Sequence, residues 1–189
     1  MELTASVYYD ELVARCKDGD TLSYEKLYRQ YAKAMFNTSL RIVNNTADAE
    51  DVLQESFVAA FKLDRFDFSS TFGAWLKRIV INRSIDLLRR KKMQVIHIDE
   101  TLVENIADEV PEEENLQLKV EEIKKAVAAL PDGYRTVISL SLFEGYDNQE
   151  IAEILNITES TVRTQYHRAR QKLLHTLQKG GNNGSKTIY

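Results

Sequence analysis

The chain has 189 residues, 43% hydrophobic and 29% charged, the composition of an ordinary globular protein with room for one large or two small domains. Cys16 is its single cysteine, which excludes an internal disulfide and a cysteine-based zinc site; the apolar runs are far short of a membrane span and the N-terminus lacks a basic-then-apolar signal segment, so a cytoplasmic location is expected. The formal net charge of -4 hides two poles, a basic one in Lys77, Arg78, Arg83, Arg89, Arg90, Lys91 and Lys92 and an acidic one from Asp99 to Glu114, and the local field decides what a face binds.

Glycine and proline are scarce and apolar residues recur at helical spacing, which predicts an all-α protein. Residues 7–17 read as a first helix, stopped by the turn Asp18-Gly19-Asp20. A second runs from Leu22 to Val43, with Leu27, Tyr28, Tyr31, Met35, Phe36, Leu40 and Ile42 for a core, and Asn44-Asn45 ends it. Thr46 is expected to cap a third helix that continues through Lys62, with Ala49, Leu53, Phe57 and Ala60 facing inward. Asp48, Asp51 and Glu55 recur at i, i+3 and i+7 on the opposite side, with Gln54 beside them. The helix macrodipole accounts for Asp48 and Asp51 but not for Glu55, two turns in. Two readings stay open, a solvated face and a dock for a basic partner surface.

From Arg65 to Thr71 lies a loop of aromatic and hydroxyl residues that ends in a helix cap. The helix after it, Phe72 to Arg90, is apolar on more than one side. Its polar stripe is Trp75, Arg78, Asn82, Asp86 and Arg89. An indole beside arginines and an amide is the chemistry of base stacking with phosphate contact on single strands; the plainer reading of a lone tryptophan is core. Around Pro111 the period dissolves into like charge, the mark of a flexible acidic linker over residues 93–116. It separates a domain at 1–92 from one at 117–178, with a mobile tail at 179–189. The expected fold is therefore two small helical domains on an acidic tether.

The second domain opens with a helix from Gln117 to Leu130, broken at Pro131-Asp132-Gly133, and another from Tyr134 to Phe143. Asp147 and Glu150 then have the spacing of a capping box. Ile151, Ala152, Ile154 and Leu155 give the short helix an apolar side, Asn156 suits a left-handed stop, and Thr158 starts a new helix two residues later. Two helices across so tight a turn form a helix-turn-helix. On the second helix Val162, Tyr166, Ala169, Leu173 and Leu177 share one face. The other carries Ser160, Arg163, Thr164, His167, Arg168 and Gln171, flanked by Arg170 and Lys172. Long donor side chains on one helix face suit phosphates and the purine acceptors of a major groove, whereas a merely solvated face needs no such excess of base.

Three segments resemble the extracytoplasmic-function group of bacterial sigma factors, the promoter-reading subunits of RNA polymerase. They are Asp48-Ala-Glu-Asp51-Val-Leu-Gln54-Glu55-Ser-Phe57; the set Phe66, Ser70, Phe72, Trp75-Leu76, Arg78-Ile79 and Asn82; and Glu150-Ile-Ala with Thr161-Val162-Arg163 and Arg168-Ala169-Arg170. The resemblance implies that Asp48, Asp51, Gln54 and Glu55 bind core RNA polymerase. It implies that Phe66, Ser69, Ser70 and Thr71 capture a base of the melted −10 strand beside Trp75, Arg78 and Asn82. It further implies that Arg163, Thr164, His167 and Arg168 read base edges of the −35 duplex, with Ser160, Thr161 and Arg170 on phosphates. An anti-sigma factor is an expected partner; no cofactor, metal or catalytic residue is expected. Asn156 stands where the group often has glycine, and His167 where another aromatic or apolar residue can sit, changes that bear on promoter sequence rather than fold.

Two other functions compete. An autonomous helix-turn-helix regulator would bind its own operator without polymerase. An enzyme would need a phosphate loop, a nucleophile motif or an acid–base pair, and the spacing supplies none.

Overall fold

The computed structural model describes residues 11–62, 66–95 and 120–182, backbone only at 93–95 and 179–182. Every regular element among them is helical, and the chain divides into two compact units, Met1–Leu88 and Arg89–Tyr189.

The first unit holds α1 (11–17), α2 (Thr21–Val43), α3 (Thr46–Ala60) and the start of α4 (Phe72–Val95). Gly19 takes a φ of 85°, a left-handed turn glycine adopts without strain. Asp20 then caps α2, accepting from the Leu22 N–H and the Ser23 hydroxyl at 3.1 and 2.7 Å. The Tyr24 hydroxyl reaches back to the Cys16 carbonyl at 2.7 Å, fastening α1 to α2. Asn44 closes α2 in the left-handed conformation. Asn45, not Thr46, caps α3, because its side-chain oxygen accepts from the Asp48 N–H at 3.0 Å while Thr46 is already helical. The helix ends at Ala60 rather than Lys62, with Phe61 as its C-cap. Two linking residues leave α2 and α3 as packed neighbours.

Leu12, Val13, Leu27, Met35, Leu53, Phe57, Phe72, Leu76 and Val80 form the centre of this unit. Each fully buried side chain of this size contributes about 1.5–3 kcal/mol. Of the second-helix residues expected inside, Tyr28 is 42% exposed and packs its ring, tilted by 56°, against that of Phe57. Small residues bring α2 and α4 together: the Ser39 and Ser84 hydroxyls lie 3.0 Å apart in the core, and Ser84 donates back to the Val80 carbonyl. Gly73 serves the same end. A β-carbon there would fall 2.7 Å from the Tyr31 ring.

The second unit contains α5 (Val120–Ala128), α6 (Asp132–Ile138), a π-helical turn (Ser139–Phe143), α7 (Asn148–Leu155) and α8 (Glu159–Asn182). The helix expected from Tyr134 starts two residues earlier, since Pro131 has no N–H to satisfy and sits readily at the N-cap. It also changes pitch. The Ser139 carbonyl accepts from the Glu144 N–H five residues on, which buries Leu140 and leaves Leu142 and Phe143 about half exposed. Arg135, 3% exposed, donates to the Leu130 carbonyl at 2.8 Å and to Asp132 at 2.6 Å, pinning the α5–α6 turn.

α8 is the spine of this unit. Ala126 and Val127 of α5 meet Leu173 and Leu177, and Leu130 and Ile138 meet Ala169. α4 runs to Val95 and α8 to Asn182, each three or more residues past the expected limits. Glycine at 180 and 181 costs a helix about 1 kcal/mol each without forbidding it. The stretches expected as acidic linker, from residue 96, and as tail, from residue 183, lie outside the described residues. No helix among the described residues is long and apolar enough to cross a membrane.

Candidate nucleic-acid interface

The helix-turn-helix closes as its residue types require. The Glu150 N–H donates to Asp147 Oδ1 and the Asp147 N–H to Glu150 Oε2, both at 2.8 Å. Asn156 is left-handed, φ 54°, and the Ile157 N–H closes the end of α7 on the Ala152 carbonyl. Thr158 then accepts from the Thr161 N–H, and its hydroxyl lies within 3 Å of those of Ser160 and Thr161. Ile151 and Val162 are fully buried between the two helices.

Capping and burial together set the rotation of α8. Val162, Ala169, Leu173 and Leu177 are buried, so Ser160, Arg163, Thr164, His167, Arg168 and Arg170 stand exposed, with Thr161, Gln171 and Lys172 half-buried beside them. Arg163 pairs with Glu159, one turn back at the i,i+4 spacing of opposite charges on a helix face, at 2.6 Å. Exposed pairs of this kind hold weakly and exchange readily for a phosphate or a base edge.

In the first unit, the loop from Phe66 to Thr71 enters α4 through a Thr71 cap on the Ala74 N–H. Phe66 is 3% exposed, which differs from a place facing a strand. Its ring meets those of Phe68, Phe72 and Trp75 at centroid distances of 4.7, 5.8 and 5.1 Å. Burial in that cluster removes far more apolar surface than a rim position. Phe68 has a φ of 61°, an outlier for a bulky side chain, and is 45% exposed; Ser69, Ser70 and Thr71 are exposed beside it.

Lys17, on α1, holds this loop. Its ammonium donates to the Phe66 carbonyl at 3.0 Å and lies 4.7 Å above the Phe68 ring centre. Hydrogen bonding from Ser69 keeps the Asp67 carboxyl below its ordinary range, with Lys17 adding a smaller favourable field. No sequence pattern marks Lys17, because its contacts are made 49 residues away.

Beyond the loop, α3 and α4 enclose an open pocket of about 550 Å³, lined by Ala59, Lys62, Trp75, Arg78, Ile79, Asn82 and Arg83. Trp75 is half-buried against Phe66 and Phe72 and still lines the pocket. Lys62 and Arg83 are additions to the expected set. The spacing of Ile79 to Arg83, one turn on the Trp75 side of α4, was the available signal for Arg83.

On α3, Asp51, Gln54 and Glu55 are exposed and Asp48 is half-buried near the cap. Val58, 65% exposed, extends that face with an apolar residue. Glu55 bonds to Arg83 at 2.6 Å. Among the described residues no group of three or more His, Cys, Asp or Glu has the geometry to hold a metal.

Comparison with known proteins matches both units. The family model for sigma-70 region 2 covers residues 27–93, and that for sigma-70 region 4 covers residues 120–173. The ECF RNA polymerase sigma factor SigW of Bacillus subtilis (strain 168) is 34% identical over 173 residues, 85% of this chain and 92% of that protein. Among solved structures, CnrH in complex with the cytosolic domain of CnrY is 26% identical with a TM-score of 0.53, covering 89% of this chain and 96% of that one. The sigma factor RpoE of Bartonella quintana, solved with the anti-sigma factor NepR, has a TM-score of 0.56 at 24% identity, covering 82% and 96%; that likeness speaks to fold. With both of its helical units matched and a full-length relative above 30% identity, the chain belongs to the extracytoplasmic-function sigma factors of the sigma-70 family.

Proposed function

We propose that this chain joins core RNA polymerase and directs it to promoters, its two units reading different parts of one site. Membership in the family supports the role. The observation that carries the division of labour is the pairing of a capped, basic-faced helix-turn-helix in one unit with an aromatic and cationic pocket in the other. A rigid helix suits a duplex groove, and a pocket that offers stacking suits a strand already opened, where each extruded base has lost a few kcal/mol. The operator-binding alternative leaves the first unit's pocket and acidic face without a task.

In this reading Arg163, Thr164, His167 and Arg168 face the −35 base edges, while Ser160, Thr161 and Arg170 take phosphates. Trp75, Arg78 and Asn82 hold the −10 strand beside the exposed Ser69, Ser70 and Thr71, and buried Phe66 walls the loop from behind. Asp48, Asp51, Gln54 and Glu55 meet the polymerase. The chain itself performs no chemistry and works in the cytoplasm, where polymerase is. An anti-sigma factor binds it, as the structure of CnrH with the cytosolic domain of CnrY supports by kinship.

The decisive experiment adds purified chain to core polymerase and genomic DNA and maps the transcript starts. Discrete new starts that share paired upstream elements are expected. A chain that neither associates with core nor creates any start is not a promoter-directing subunit, and tight binding to a palindrome without polymerase favours the operator reading.

A further inference from the structure

Arg83 belongs to two surfaces at once. It lines the pocket with Lys62, Arg78 and Trp75, and its Nη1 lies 2.6 Å from Glu55 Oε2 on the acidic face of α3. The other acids of that face near the helix start are explained by the macrodipole; Glu55, two turns in, is not. The pair is open to water, with side-chain exposures of 36% for Arg83 and 59% for Glu55. A carboxylate here does two things. It occupies a guanidinium fork that otherwise suits a phosphate, and it places a negative charge at the rim of a site for a polyanion.

We infer that Arg83 is a strand-phosphate contact which Glu55 holds back in the free protein, and that a basic partner surface docking on α3 draws Glu55 away and releases it. The inference rests on the reading of α3 as the polymerase face and of the pocket as the strand site. It deepens that reading by coupling the two: docking on one side of the Glu55–Arg83 pair raises strand affinity on the other. An exposed ion pair shifts an equilibrium by no more than about fivefold, weak enough for a basic partner to break and large enough to measure. Because coupling is reciprocal, a bound strand favours partner docking by the same factor.

Trp75 is the only tryptophan in the chain, so its fluorescence reports occupancy of the pocket. The full-length chain is titrated with a single-stranded DNA of about 12 nucleotides, as wild type, Glu55→Gln, Arg83→Ala, Arg83→Lys and the doubles with Glu55→Gln. Glu55→Gln is expected to tighten binding about twofold to fivefold and to steepen the salt dependence by about 0.7 in log–log slope, one extra phosphate. In the Arg83→Ala background the same change has no effect, while in Arg83→Lys part of it persists. Equal tightening in the Arg83→Ala background makes Glu55 a general repeller and overturns the latch. So does no tightening at all, or binding below detection by both wild type and Glu55→Gln. Failure of the broader reading is seen elsewhere, in a wild-type chain that does not associate with core polymerase.

Discussion

Arg168 stands exposed on the basic face of α8, beside His167 and clear of the buried seam at Ala169. As a base reader its replacement by alanine costs about 1–3 kcal/mol of duplex discrimination. In promoter binding by the assembled polymerase, Arg168→Ala is expected to weaken the cognate −35 site ten- to a hundredfold, about 1.4 kcal/mol per tenfold, with little change at a scrambled one. Equal weakening at both marks it as a phosphate contact instead. Burial, with Asp20 adding a smaller repulsion, pushes the Cys16 thiol up to about 11 from an ordinary 9.0. The folded chain therefore keeps a proton that the unfolded chain gives up, so stability present below pH 9 is lost as pH rises through 9 to 11. Thermal melts across that window should show a decline that flattens in Cys16→Ala, once the general alkaline trend shared by both is subtracted; parallel curves contradict it.

Two elements depend on small steric facts. Gly73 admits the Tyr31 ring where a β-carbon would collide at 2.7 Å. Gly73→Ala gains helix propensity on α4 but forces that ring aside, and overpacking of this kind costs about 1–3 kcal/mol. Urea denaturation should show a net loss; an unchanged or higher midpoint means that Tyr31 moves freely. The aromatic loop rests on Lys17, which reaches both the Phe66 carbonyl and the Phe68 ring. Lys17→Met keeps the stem and removes the charge. It should loosen the loop and lower −10 strand affinity, read through Trp75 fluorescence, while leaving −35 duplex binding intact. A drop in both readouts shows a general folding defect.

The first unit presents two adjoining faces, acidic on α3 and cationic and aromatic between α3 and α4, and the second unit a basic one on α8. Asp51→Ala and Gln54→Ala are expected to weaken association with core polymerase in a pull-down, where Arg168→Ala behaves as wild type. The same defect from both classes denies that the faces act separately.

Much of this was legible because it depends on neighbours in sequence. Helical period, the Asp147–Glu150 box, the left-handed Asn156 and the basic side of α8 are all set within a few residues along the chain, so the all-α fold and the rotation of α8 could be read directly. Local rules failed where two residue types compete for one role, as Asn45 displaced Thr46 at the α3 cap, and where pitch changes inside an apolar run, as in the π turn at Ser139. Contacts between distant segments had no local signal. Phe66 went into the core, Lys17 took hold of the loop, and Glu55 met Arg83 across 28 residues, because side-chain partners on different helices are chosen by packing, and packing exists only once the helices have come together.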